Sequence, residues 1–411
     1  MVDPIIRPRN VAMLFKLEST QGTDAAPGVS DAFPFEADGY SYNAPYTNEA
    51  SNEVNGTLVD AAPLIVGQPA EVSIRVRMKG IGGSSAYSAS IKPPHHSLLE
   101  ACGKRGVFTA AIAAASLTAG TTTSATLGTG FATVAQSYRG MPLILSGGSS
   151  GGRTVHVADY SAAKVATLTD VFGSALTVAG SAALPANWTY AGTSPKDVAS
   201  RATDHPTGTL YIYEDGSLHK FVGCRGSISD WSGNTARPGF MTFNLMGIYA
   251  GKTTAAIPTV TIPQHSAPVL AMGNGGINPA LLVNRKELRI SNWGISESAN
   301  KEVIDDPNTP FGFGSPEIAG RTPLLTIDPL TTHVENRNTI AEMEAGTEYS
   351  GVIRMGNTAQ NRVSITFPKL LPVDPAVGQR GIARTEQLGL RALTAGPDAS
   401  LRDSDSILCY S

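Results

Sequence analysis

Charge is what this sequence has least of. Asp, Glu, Lys and Arg make up 16% of its 411 residues, well under the usual quarter. With a net charge of −3 there is no basic face for gripping phosphates, and tight nucleic-acid binding is not expected. Cysteine is nearly absent: Cys102, Cys224 and Cys409 are odd in number and far apart. That argues against a disulfide framework or a zinc site and for buried, reduced thiols in a cytoplasmic protein. No run approaches the ~18 apolar residues of a membrane helix. The start, Met1-Val-Asp-Pro4, has neither a positive n-region nor an apolar h-region, so no signal peptide is expected and the sequons at Asn55 and Asn187 are idle. Lys and Arg are missing altogether between Leu17 and Ile74, where Glu18, Asp24, Asp31, Glu36, Asp38, Glu49, Glu53, Asp60 and Glu71 fall. Two readings stay open: a solvated acidic loop, or a surface facing something negative to which it must not stick.

What the chain has instead is turn chemistry. Gly (43) and Pro (27) are abundant, with much Ala, Thr and Ser and few helix-length apolar stripes, which favours a mainly β protein. Its length allows two or three domains with real cores. Its two ends spell one order of elements twice. An alternating strand, 72–78, leads to a short helix at 93–105 and, after an interruption, to strands at 209–214, 218–228 and 239–249. A strand at 323–328 leads to a helix at 335–345 and strands at 347–355, 361–371 and 381–392. A repeated supersecondary plan usually builds one symmetric object.

Other segments hang on this frame. An opening strand at 10–18 is followed by a tight loop at Gly22. Residues 40–68 read as a projecting hairpin or arm. In it Asn55-Gly56 gives a type I′ turn signal between 52–54 and 57–59, and the apolar end, 61–66, suggests docking on a neighbour. Between Val107 and Tyr138 there is no charge at all. Strands are expected at 121–126, 132–134, 141–146, 153–158 and 165–169, so 107–192 reads as an inserted all-β module, and 193–207 as a linker returning to the parent domain. Asp215-Gly216 marks a two-residue hairpin. Gly223 and Gly226 interrupt the next strand, as a bulge or a close backbone approach would. Strands 280–283 and 287–293 are expected to pair across 284–286, and 257–268 is an extended connector.

Candidate chemistry is thin. Gly147-Gly-Ser-Ser-Gly151 has the spelling of a nucleophile elbow, but the elbow needs a helix after Ser149 and a strand follows. His96 and Glu100 have metal-ligand spacing without a third ligand, so a helix-surface pair is expected. Gly273–Gly276 lacks the Lys-Ser/Thr ending of a phosphate loop. Cys102 has only His95 and His96 near it and reads as a core thiol. No catalytic, metal or cofactor residues are assigned, and enzymatic function is not expected.

Several segments resemble the tail tube proteins of long-tailed (siphovirus-like) bacteriophages. They are 10–18 followed by Gly22-Thr-Asp-Ala25, His96-Ser-Leu-Leu-Glu-Ala-Cys-Gly103, Thr209-Leu-Tyr-Ile-Tyr-Glu-Asp-Gly-Ser-Leu-His219, Gly223-Cys-Arg-Gly226 and 240–250 running into Ile257-Pro-Thr259. The resemblance covers about 5–106 and 190–265. It implies a β-sandwich or partial barrel with one flanking helix, whose sheet joins that of its neighbours edge to edge in a ring. Rings would stack into a tube through which DNA passes unbound, with tape measure, tail terminator and distal tail proteins as further partners in the virion tail, assembled in the host cytoplasm. Setting aside 107–192 leaves about 160 residues per half, the size of one domain each. The expected organisation is therefore a first tube domain (1–106 with 193–265), an inserted decoration domain (107–192) and a second tube domain (266–411). A trimeric ring with pseudo-sixfold symmetry follows, a hexamer being the alternative. Glu49, Glu53, Asn55, Gly56, Asp60, Leu64 and Ile65 become candidates for a lumen-facing or inter-ring arm, and Asp215, Gly216, Gly223 and Gly226 for structural turns and bulges. A competing reading is a tail-fibre or capsid-surface adhesin, given the Thr-rich, loop-heavy insertion; a hydrolase using Ser149 is a third.

Overall fold

Side chains alternate across a strand, so apolar residues at every second position bury one face of a sheet. Val72, Ile74 and Val76 do this, and so do Met241, Phe243 and Leu245 opposite them. The computed structural model describes residues 7, 9–43, 46–51, 53–54, 56–59, 61–83, 85–260, 262, 267–268, 280–309 and 311–411. The chain is mainly β, with short helices.

The first repeat opens with β1 (Val11–Leu17), β2 (Tyr40–Tyr42), the hairpin β3 (Tyr46–Ser51) and β4 (Ala61–Gly67), β5 (Ala70–Arg77) and α1 (His96–Ala101). The insertion follows, bounded by β6 (Lys104–Thr109) and carrying β7 (Ile112–Ser116), β8 (Ala119–Gly120), β9 (Ser124–Thr126), β10 (Pro142–Gly147), β11 (Thr154–Tyr160), β12 (Val165–Leu168), β13 (Gly180–Leu184) and β14 (Asn187–Gly192). After α2 (Val198–Asp204) the first repeat ends with β15 (Gly208–Glu214), β16 (Ser217–Asn234) and β17 (Phe240–Thr254). The second repeat comprises β18 (Leu281–Val283), β19 (Lys286–Glu287), β20 (Asn292–Ser296), the hairpin β21 (Asn300–Glu302) and β22 (Glu317–Gly320), β23 (Leu324–Ile327), α3 (Thr339–Glu344), β24 (Tyr349–Met355), β25 (Val363–Arg380) and β26 (Ala383–Ala392). A last strand, β27 (Ile407–Tyr410), closes the chain.

Pairing shows how deep the repetition goes. The first repeat is laced β1-β15-β16-β17-β5-β2, every pair antiparallel. The second is laced β18-β24-β25-β26-β23-β20, again antiparallel throughout. Each repeat places a separate hairpin between its second and third ladder strands (β3–β4, β21–β22) and a six-residue helix after its third. Both helices run into a glycine of positive φ, Gly103 at +70° and Gly346 at +60°, which ends a helix at little cost. The long central strands, β16 and β25, are both 18 residues. One apolar core spans the repeats, taking Trp231 and Phe243 from the first and Trp293, Ile353 and Phe367 from the second.

The insertion has a core of its own, from Leu117 to Leu184, around Leu143, Val155, Val157 and Tyr160. Its bounding strands lie elsewhere: β6 pairs with β14, β14 with β27 and β27 with β25, all within the large sheet.

Several local expectations are corrected. Residues 132–134 form no strand, and the strand expected over 121–126 narrows to β9. The helices are shorter than 93–105 and 335–345. Pro93 and Pro94 occupy the approach to α1, and Asn338 caps α3 by accepting from the Ala341 amide at 3.2 Å. The strand expected over 287–293 is split: β19 folds back on β18 through Asn284 and Arg285, both of positive φ, while β20 leaves for the other repeat. The linker 193–207 contains α2, capped by Asp197, whose carboxylate accepts from the Ser200 amide at 2.7 Å. The connector 257–268 lies partly outside the described residues, and Gly273–Gly276 wholly so.

Candidate assembly surfaces

Polar backbone left over at a strand edge must find a partner or water. At the far end of β16 it finds the other repeat. Trp231 to Asn234 pair antiparallel with Ile295 to Asn292 of β20, so the two repeats form one continuous sheet. Trp231, Trp293 and Ile295 are buried at this joint. Behind it lies a buried ion pair, Lys104 Nζ to Glu297 Oε1 at 2.6 Å, with the ammonium 5.5 Å from the Trp231 ring centroid. Burial pushes the Glu297 carboxyl above its ordinary range, and Lys104 pulls the other way. Burial also raises Asp405, but Lys104 and Arg321 outweigh it and hold that carboxyl low.

A second contact reinforces the joint. The hairpin β21–β22 and its connecting loop reach across the first repeat. Arg225 of β16, buried, donates to the Pro316 carbonyl at 3.0 Å and pairs with Glu317 at 2.7 Å. Lys301 donates to the Asn244 carbonyl of β17 at 3.2 Å. Ile318 packs at Gly103, where an added Cβ would sit 3.2 Å from it, and Ser315 fills the space a side chain at Gly223 would need.

The counterparts of these contacts are open. Among the described residues β2 pairs with β5 alone, whereas its equivalent β20 lies between β23 and β16. Beyond Leu370, β25 pairs among the described residues only with β26, whereas the matching end of β16 has partners on both sides. Val377 is accordingly 78% exposed, where Trp231, the matching residue of β16, is 1% exposed.

The arm residues take varied places. Glu49 lies in β3 opposite Leu64, and both are exposed. Ile65 is 68% exposed. Glu53 and Gly56 are exposed outside any strand, and Asn55 and Asp60 lie outside the described residues. The strands stop at Ser51 and resume at Ala61, so 53–54 and 57–59 do not form the flanks of a tight Asn-Gly hairpin. Val54 and Leu58 are fully exposed there, with no packed layer to hold a regular ladder. The acids sort into two groups. Glu18 accepts from Gly22, Thr207, Thr209 and Gly223. Asp24 accepts from Tyr211, Asp31 from Gly28, and Glu36 pairs with Arg77 at 2.6 Å. Asp38, Glu49, Glu53 and Glu71 are exposed.

Asp215 and Gly216 have φ of +41° and +97° in the two-residue turn between β15 and β16. The Asp215 carboxylate also accepts from Asn10 at 2.6 Å. Gly223, at φ +62°, sits where the β16–β17 register shifts between Val222 and Arg225. At Gly226 an added Cβ would lie 2.6 Å from Leu245 Cδ2.

Of the chemical candidates, Ser149 donates to the Ala175 carbonyl in a loop. His96 is buried rather than on a helix surface, 3.3 Å from Glu100 and 2.8 Å from the Tyr190 hydroxyl. Burial, then Lys92, pulls its pKa down to about 3, so it is neutral and the Glu100 contact is no ion pair. Cys102 is a buried thiol raised by burial. Among the described residues no group of three or more His, Cys, Asp or Glu is placed to hold a metal. Sequence reasoning missed the joint residues Lys104, Arg225, Glu297 and Arg321. Each sits far along the chain from its partner, so no local spacing marks it. No known protein family matches the chain, and no curated protein does.

Proposed function

We propose that the chain is a structural virion protein of the tail tube of a long-tailed phage. Three copies form a ring of six similar repeats, and stacked rings form the conduit for DNA. One observation carries this reading: the two repeats are already joined edge to edge by β16 and β20, and among the described residues β2 and the tip of β25 each keep one edge without a partner strand. A head-to-tail contact between unlike surfaces repeats until it closes, giving a ring, or else it gives a filament. Exposed strand edges invite such pairing. The tip of β25 would join β2 of the next copy as β16 joins β20. Two repeats per chain then turn a six-place ring into a trimer.

Asp38, Glu49, Glu53 and Glu71 add an exposed acidic character that would repel passing phosphates within a Debye length of about 8 Å. Tape measure, tail terminator and distal tail proteins would be its partners by the resemblance set out above. Native mass spectrometry with negative-stain microscopy tests the proposal. The expected result is rings of three chains that show six similar lobes. Monomers at high concentration, or six chains in one ring, would overturn it.

A further inference from the structure

We infer that the β3–β4 arm of one copy lies across the second repeat of its neighbour in the same ring, rather than reaching toward another ring. The inference rests on the ring proposed above and goes beyond it. Its basis is the intramolecular precedent. The β21–β22 hairpin occupies the same place in its repeat as β3–β4 does in the first. Wherever β16 joins β20, that hairpin is carried over the preceding repeat, onto Arg225, Asn244 and the glycine that ends α1. If β25 joins β2 of the next copy in the same way, the arm that follows β2 is carried over β25, β26 and the glycine that ends α3.

The surfaces on both sides suit this. The arm exposes Leu58 (107%), Leu64 (66%) and Ile65 (68%), and exposed apolar residues grouped on one element mark interaction surfaces. α3, the helix in the corresponding place of the second repeat, exposes Ile340 (58%) and Met343 (36%). Among the described residues Leu58, Leu64, Ile65, Ile340 and Met343 stay exposed, and the joint would bring the two sets together. The occupant is therefore a second copy of this chain.

Cysteine cross-linking tests the placement, because the native cysteines are all buried. The double variant Leu64→Cys with Met343→Cys would be assembled, checked for rings by microscopy, treated with a flexible bismaleimide and run on a denaturing gel. The expected result is a ladder that stops at three chains, with most material linked. Intact rings that yield only monomer on the gel would overturn the arm placement while leaving the ring proposal standing. A ladder running past three chains would overturn it too, since the arm would then reach other rings. Dimers from either single variant would do the same, by showing arm meeting arm or helix meeting helix. If no rings form and no cross-link appears, the ring proposal and this inference fall together.

Discussion

His96 shows how a residue with ligand-like spacing can be structural. Its Nδ1 faces the Tyr190 hydroxyl at 2.8 Å and its Nε2 faces Lys92 Nζ at 3.0 Å, next to Trp188. A proton added there would be buried beside an ammonium, hence the fall in pKa from 6.5 to about 3. The folded chain thus holds His96 neutral, while the unfolded chain protonates it below pH 6.5. The unfolded state binds more protons across that window, so stability falls as the pH drops from about 6.5 toward 3. The slope approaches about 1.4 kcal/mol per pH unit for one such histidine. His156 adds in the same direction: burial, then Arg354, lowers its pKa well below the ordinary value. Urea unfolding at a series of pH values should show this loss, and His96→Asn should flatten it by about one histidine's share. An unchanged slope in the variant would mean that His96 is protonated in the fold.

At the scale of the element, the open side of β25 can be read from its closed side. The Glu386 amide donates to the Pro329 carbonyl and the Thr331 amide to the Arg384 carbonyl, so 384 and 386 point away from β25. Alternation then gives Thr385 and its partner Gly378 the bonds across the β25–β26 ladder. It leaves the amides of Val377 and Gln379 facing the open edge. Proline at an edge position removes an outward donor without breaking the inner ladder. Val377→Pro should therefore keep the monomer's circular dichroism and melting temperature and abolish rings in the microscope. Rings as abundant as those of the unsubstituted chain would show that this edge carries no joint. Strands such as β5, β15 and the start of β16 were legible because a half-buried sheet writes its alternation into Val72, Ile74 and Val76, and because Asp215-Gly216 admits few conformations. α2 was hidden in a polar linker, although Asp197 and Ser200 carried a capping signal. The strand expected over 287–293 takes in only the first two residues of β20, whose partner in β16 lies about sixty residues back in the chain. Nothing local distinguishes a strand pairing at home from one crossing to another repeat.

At the scale of the molecule, the insertion is a module standing on a stem. Its ends, β6 and β14, remain paired down to Thr109 and Asn187, so a two-residue turn could replace everything between them. The module has its own core, and it is clamped to the second repeat by Arg354, which meets Asp170 and donates to His156 Nδ1 at 3.1 Å. All three residues are buried. Breaking such a pair from one side leaves a charge without its carboxylate in a dry place, which costs about 3–5 kcal/mol. Removing the whole module instead returns Arg354 to water and avoids most of that penalty. Excising 110–186 in favour of Asn-Gly should therefore leave the repeats folded and the rings intact, while Asp170→Ala in the full chain should lower the unfolding midpoint more than the excision does. The comparison needs only thermal melts of the two variants and micrographs of the excised one. Rings lost on excision would place the insertion in the joint itself. A harmless Asp170→Ala would mean that this clamp contributes little and that the stem, with Arg139 donating to the Gly396 carbonyl and Arg285 to the Leu168 carbonyl, holds the module.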